Sequence, residues 1–372
     1  MARYLLIAFF LISVFPLAAQ ENKPWAGSGV EASYIPGHAF KHTKKMIADF
    51  PAMSPAVDVN FVMQTYGWKD WQQRRRYPIV GMGLTYTVYD KDVYGSCLSL
   101  YPNIRIPIIS GKKLEWSVKA GFGLGYITKI FERYPSWDTL NTAMSSHLNN
   151  FTTVTTDLCY RINEHLDILL GANFSHVSNA ALRSPNLGIN KYGAIIGVRY
   201  SPVTSTPKRI ARELPKLKNR LLFQIRLGIS GSEMGTPDGP MNPIYTYSAF
   251  VSKRYWSKNK VYIGADYGYY KNLYMFMKNN EINPGKERAN AWRSAVYLGN
   301  EFLIGRVGVV FQLGYYLRKG FLNDKSIYEK LGGNFYIIQN EKGLLKELSL
   351  HCFLKAHSPD AELAELGIGA AF

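Results

Sequence analysis

The segment LEWSVKAGFGLGY, residues 114–126, sorts its side chains by parity. Leu114, Trp116, Val118, Ala120, Phe122, Leu124 and Tyr126 are apolar or aromatic, while Glu115, Ser117, Lys119, Gly121, Gly123 and Gly125 between them are polar or small. A two-residue period held over this length predicts a β-strand. The same alternation returns at 307–316, where Val307, Val309, Phe311, Leu313 and Tyr315 alternate with Gly308, Val310, Gln312 and Gly314. Strands of soluble sandwiches average about 5 or 6 residues, whereas a tilted strand of about 9 to 11 residues crosses a bilayer. Length, and an apolar, aromatic face backed by a glycine-rich one, therefore favour an all-β transmembrane antiparallel β-barrel over a sandwich.

Alternating segments follow one another at 27–37, 56–66, 77–89, 94–109, 113–128, 147–161, 166–179 and 188–201, and about eight more run from Leu221 to Phe372. The second set echoes the first: GRVGVVFQLGYYL answers LEWSVKAGFGLGYI, and LGIGAAF answers AIIGVRY. The chain thus reads as a duplicated eight-stranded unit, with repeats at 20–201 and 221–372 joined by the basic, proline-punctuated linker 202–220. Two eight-stranded barrels are expected, because each half has the strand number of a small closed barrel and the linker is far longer than a barrel turn. One barrel of about sixteen strands is the alternative. The two differ in the partner of the first strand near Ala32, which is the strand near Val198 in one case and that near Ile368 in the other. Connections alternate in length: INEH (162–165) and IGR (304–306) are short, 129–146 and 272–289 long. An N-terminus in the periplasm puts the long ones outside. The connection 66–76, with Arg74, Arg75 and Arg76, departs from that alternation.

The first residues, MARYLLIAFFLISVFPLAAQ, have Arg3, an apolar run through Phe15, and small residues at Ala18 and Ala19. They read as a secretory signal peptide, 1–19, rather than a membrane helix. No later apolar run approaches the roughly 20 residues such a helix needs. Aromatics at 14%, with 26 Tyr and 32 Gly, suit strands that meet lipid on one face. The terminal Phe372 on an alternating strand resembles the assembly signal of outer-membrane barrels. Cys97, Cys159 and Cys352 are odd in number and widely spaced, and are expected to be packing residues.

One apolar face ends unexpectedly. Ile168, Leu170, Ala172 and Phe174 would face lipid, and the same parity then presents His176 and Ser178. Polar groups aimed at hydrocarbon are unfavourable unless paired. The two are about 6.6 Å apart along a strand, close enough for the imidazole to lean onto the hydroxyl. The returning strand shows Tyr192, Ala194, Ile196 and Val198 on its apolar face, which places Asn190 on that outer face too. A polar rim meeting headgroups would explain these residues without chemistry.

The string HVSNAALRSPNLGIN resembles the H-x-S-N-A signature of the outer-membrane lipid A 3-O-deacylases, eight-stranded barrels that hydrolyse an ester-linked acyl chain of lipopolysaccharide. The match is specific over 173–200, and the first repeat has the family's strand count. The resemblance implies Ser178 as nucleophile, His176 as its general base and Asn179 as an oxyanion donor. The family's third member, a glutamate that orients the histidine, is matched here by Asn190. In the second repeat Glu362 matches Asn190, Ala356 matches His176 and Ser358 matches Ser178, while His357 faces inward, so that copy reads as non-catalytic.

The net charge of +17 is dispersed through loops and the linker. Lipid A phosphates or anionic headgroups are its expected partners, not nucleic acid. The seven histidines have no metal-ligand spacing, and no phosphate-cradling loop joins a strand to a helix, so neither metal nor cofactor is expected. Two functions remain: an outer-membrane serine esterase acting on lipid A, or a non-enzymatic barrel with a structural, adhesive or permeability role.

Overall fold

The computed structural model describes residues 26–372 apart from 91, 135–136, 204–207, 216–218, 234–236, 321–324 and 359. The segment expected to be a signal peptide, 1–19, lies outside the described residues. The first repeat consists of β1 (Ser28–Ile35), β2 (Gly37–Phe40), β3 (Ala56–Gln64), β4 (Ile79–Val88), β5 (Ser96–Ser110), β6 (Leu114–Ile127), β7 (Leu148–Arg161), β8 (Leu166–Ser178) and β9 (Ile189–Tyr200). These strands make eight staves, because β1 and β2 share one. Tyr34 opposes Ile196 and Gly37 opposes Gly193 in one continuous register. Only Pro36, which has no N–H for the ladder, interrupts it.

The second repeat runs from β10 (Leu221–Ser232) through β11 (Asn242–Tyr255), β12 (Asn259–Tyr270), β13 (Trp292–Ile304), β14 (Val307–Arg318), β15 (Ile327–Gln339) and β16 (Glu347–His357) to β17 (Asp360–Ala371), and it closes on itself. Ala32 stands opposite Val198, and Leu227 opposite Ile368. Each repeat therefore closes its own eight-stranded antiparallel barrel, and the sixteen-stranded alternative does not hold.

Alternation decides what each wall faces. Leu170 and Ile196 are 51% and 54% exposed on the outer wall, where lipid replaces water. The opposite parity fills the lumen with charge that is paired inside it. Arg105 binds Glu31 at 2.9 Å and also Asp157, Arg199 binds Glu31 at 2.8 Å, and Lys119 binds Asp58 at 3.2 Å. In the second lumen Lys330 bridges Asp266 and Glu365 at 3.0 and 3.1 Å. Removing one member of such a set would leave a buried charge uncompensated, which is costly. Cys97 and Cys159 are buried and Cys352 half-buried, all as free thiols.

The connection that broke the length alternation has a structural purpose. It contains a short helix, α1 (Asp70–Arg74), at the end of the first barrel that carries its short turns. The ring of Trp71 lies so close to the β13–β14 turn that a Cβ on Gly305 would sit 2.8 Å from Trp71 Cδ1. Arg75 donates to the carbonyl oxygens of Leu303 (3.1 Å) and Lys258 (2.7 Å) and to Asn259 Oδ1 (3.1 Å). The linker packs on the same helix, with Arg212 paired to Asp70 at 2.7 Å. The three-arginine segment thus docks one barrel to the other.

At the opposite end the long connections cover the mouth of the first barrel with an apolar cluster. It includes Met46, Tyr89, Tyr94, Tyr101, Met144 and Phe151, together with Val177 and Ile189. Val177 and Ile189 are fully buried, and each such side chain contributes about 1.5–3 kcal/mol when removed from water. Their neighbours in the chain, of opposite parity, are His176, Ser178 and Asn190. The second barrel's mouth carries α2 (Lys271–Asn279) and α3 (Glu287–Asn290).

Candidate active site

The anchoring of Val177 and Ile189 inside the barrel forces His176 and Asn190 to the outside, and the β8–β9 register places the two directly opposite. Asn190 Oδ1 accepts a hydrogen bond from His176 Nδ1 at 2.6 Å. A carboxamide oxygen only accepts, so Nδ1 carries the proton and Nε2 keeps its lone pair. The same row of outward residues continues to Thr152 on β7 and to Phe40 on β2, which oppose His176 and Asn190 respectively.

Ser178 closes β8 and is only 4% exposed. Parity alone would leave it on the open wall, but the connection 179–188 folds over it. Gly188 is the contact point. It has a φ of +74°, and a Cβ there would lie 2.7 Å from His176 Cε1 and 3.3 Å from Ser178 Cβ. Glycine is needed both for the left-handed backbone and for the space, and imidazole and serine flank that one bare spot.

Two ends of the connection are tied to the long β6–β7 segment. Asn179 Nδ2 donates to Ser145 Oγ at 3.0 Å, and the Gly188 N–H donates to Ala143 O at 3.0 Å. Between these ties Ala180 and Ala181 hold φ values of 55° and 61°. This conformation is unfavourable for residues with a Cβ and is retained only when surrounding bonds hold it.

The donors of Asn179, the residue expected at the oxyanion, are engaged by protein groups. Its two amide hydrogens go to Ser145 Oγ and to the Arg183 carbonyl at 3.2 Å, and its backbone N–H goes to Asn186 Oδ1 at 2.9 Å. With one hydrogen given to the β6–β7 segment and the other to its own connection, the side chain ties the two together. Asn186, passed over in the sequence, brings its carboxamide against the peptide bond that follows Ser178. Its Nδ2 has no hydrogen bond among the described residues. The one sequence signal was an asparagine within the Pro-Asn-Leu-Gly turn between the two strands.

Among the described residues the second barrel has no matching outer cluster. The register shifts from Lys355 opposite Leu363 to Ala356 opposite Ala361, so β17 carries one extra residue, Glu362, near its start. Glu362 consequently turns into the barrel mouth, paired with Arg293 and with Lys355 at 3.0 Å, rather than taking the outward place of Asn190. His357 faces inward as expected and meets the Tyr316 hydroxyl at 2.9 Å.

Comparison with known proteins follows the division into repeats. Residues 56–199 match the family model described as lipid A 3-O-deacylase (PagL), and residues 221–372 match acyloxyacyl hydrolase, C-terminal domain. Among solved structures, neisserial surface protein A is 11% identical over 47% of this chain and 97% of its own, with a TM-score of 0.34. The outer membrane enzyme PagL is 17% identical over 46% of this chain and 98% of its own, with a TM-score of 0.32. A mutant of the Rh. blastica porin is 11% identical over 93% and 99%, with a TM-score of 0.20. No curated protein matches.

Proposed function

We propose, from the match of residues 56–199 to the lipid A 3-O-deacylase model and from the groups at the end of β8, that the chain is an outer-membrane serine esterase removing an ester-linked acyl chain from lipid A. The observation that carries the reading is the bond between His176 Nδ1 and Asn190 Oδ1, on the lipid-facing wall and beside Ser178. A barrel needing only a polar rim has no use for a histidine held in one tautomer next to a covered serine.

In this mechanism Ser178 Oγ attacks the ester carbonyl while His176 Nε2 takes its proton. The carbonyl π bond opens to an oxyanion. On collapse the C–O bond to the sugar breaks, and the imidazolium returns its proton to the departing alkoxide. Water, activated by the same imidazole, then releases the fatty acid and restores the serine. Asn190 fixes the imidazole but supplies no negative charge to the imidazolium. The dispersed basic loops suit the phosphates of lipid A.

Asn186 is the oxyanion donor that the connection offers, because its amide hydrogens are uncommitted where those of Asn179 are engaged. Asn186→Ala should lower kcat by about 10²–10³-fold with KM little changed. Asn179→Ala, acting through the shape of the connection, should change both. Equal kinetics of Asn186→Ala and wild type would remove Asn186 from the mechanism. The activity itself is tested by mass spectrometry of lipid A from cells with and without the chain. Loss of one acyl chain is expected, and identical lipid A in both would return the protein to the non-enzymatic class.

A further inference from the structure

The tip of the connection covering Ser178 is held by the other barrel. Glu233, immediately after β10, accepts the Ser184 N–H at Oε2, 3.0 Å away, and its Oε1 lies 3.9 Å from Arg183 Nε. Glu233 is only 6% exposed, so its carboxylate has given up most of its water and depends on those partners. Arg183 is also the residue whose carbonyl receives Asn179, the neighbour of Ser178. A continuous path of bonds therefore leads from the second barrel to the serine. The ties to Ser145 and Ala143 secure the two ends of the connection, and Glu233 secures its middle.

The contact is made possible by the docking at the opposite rim, where Trp71 and Arg75 grip the turns of β11–β12 and β13–β14. Among the described residues the two barrels thus meet at both ends.

We propose that Glu233 is a positioning residue for the esterase site, and that the second barrel serves the reaction by clamping the connection 179–188 over Ser178. This rests on the esterase reading above. It gives the barrel without catalytic residues a role in catalysis: a loop carrying two left-handed alanines is held in working shape from outside its own barrel.

The test uses the full chain in detergent micelles, with heat-modifiable electrophoretic mobility as the check of folding. Glu233→Ala frees the Ser184 N–H, while Glu233→Gln keeps an acceptor oxygen there. In Glu233→Ala, kcat for fatty acid release should fall roughly tenfold with KM nearly unchanged, and trypsin should cut the folded protein after Arg183 about tenfold faster. Glu233→Gln should restore both towards wild type. Unchanged tryptic cutting in Glu233→Ala, or equal loss of kcat in the alanine and glutamine variants, overturns the clamp. A wild type that releases no fatty acid sinks the esterase reading, and the rate of cutting after Arg183 still decides whether the second barrel orders this connection.

Discussion

Ser178→Ala is expected to abolish ester release from lipid A while the folded barrel keeps its heat-modifiable mobility. Ser178 lies at the end of β8, covered by the connection 179–188, and none of the bonds that shape that connection uses its hydroxyl. Alanine removes one oxygen without creating a clash, so folding should be unaffected. Catalysis should fall by about 10⁴–10⁶-fold, the range found when a nucleophile or its base is lost from a serine hydrolase. His176→Ala should match it, and the double variant should be no worse than either single one, because nucleophile and base act as a unit. The measurement is fatty acid release from purified lipid A in micelles, beside lipid A mass spectra from cells. Residual activity near wild type in Ser178→Ala would move the nucleophile elsewhere, whatever the result for His176.

Asn190→Asp should raise turnover, and Asn190→Ala should lower it. Asn190 Oδ1 already stands 2.6 Å from His176 Nδ1, so aspartate, equal in length, supplies charge without moving the imidazole. Glutamate would have to fit another methylene into the same gap. An amide fixes the tautomer but leaves the imidazolium formed in the transition state without an opposite charge. In the serine protease template the acid-to-amide change lowers turnover about 10⁴-fold. The reverse change here should recover part of that, about tenfold or more, since the lipid-facing wall screens charge poorly. Asn190→Ala loses the tautomer as well and should fall below wild type. An Asn190→Ala protein as active as wild type would show that the histidine is oriented by another group.

Much of this was legible in the sequence. A strand's period is local, so the edges of β6, expected at 113–128 and found at Leu114–Ile127, follow from which residues alternate. Parity alone also put His176, Ser178 and Asn190 on one outer face. The opposition of His176 and Asn190 needed only two antiparallel neighbours and a turn of known length. The first stave ran past its expected end, through Pro36 to Phe40, because a proline removes one ladder bond without ending the strand.

Other features had no local signature. The 66–76 connection looked too long for a turn because the barrel it grips lies more than 180 residues away in the chain, at Lys258 and Leu303. The resemblance implied Asn179 as an oxyanion donor, but its amide hydrogens go to Ser145 on another connection and to Arg183 on its own, and that depends on how two loops stack. Glu362 kept the right spacing from the chain end yet turned inward, since a bulge shifts parity by one residue.

The alternation of apolar and polar residues was enough to specify the strands and the wall on which His176, Ser178 and Asn190 stand, because lipid and lumen select side chains one residue at a time. One barrel or two was decided instead by the pairing of Ala32 with Val198 and of Leu227 with Ile368. How the serine is covered, which asparagine has hydrogens left to give, and that Glu233 of one barrel reaches Ser184 of the other, depended on packing between distant segments. Such contacts are set by where whole loops come to rest, and no period along the chain encodes them.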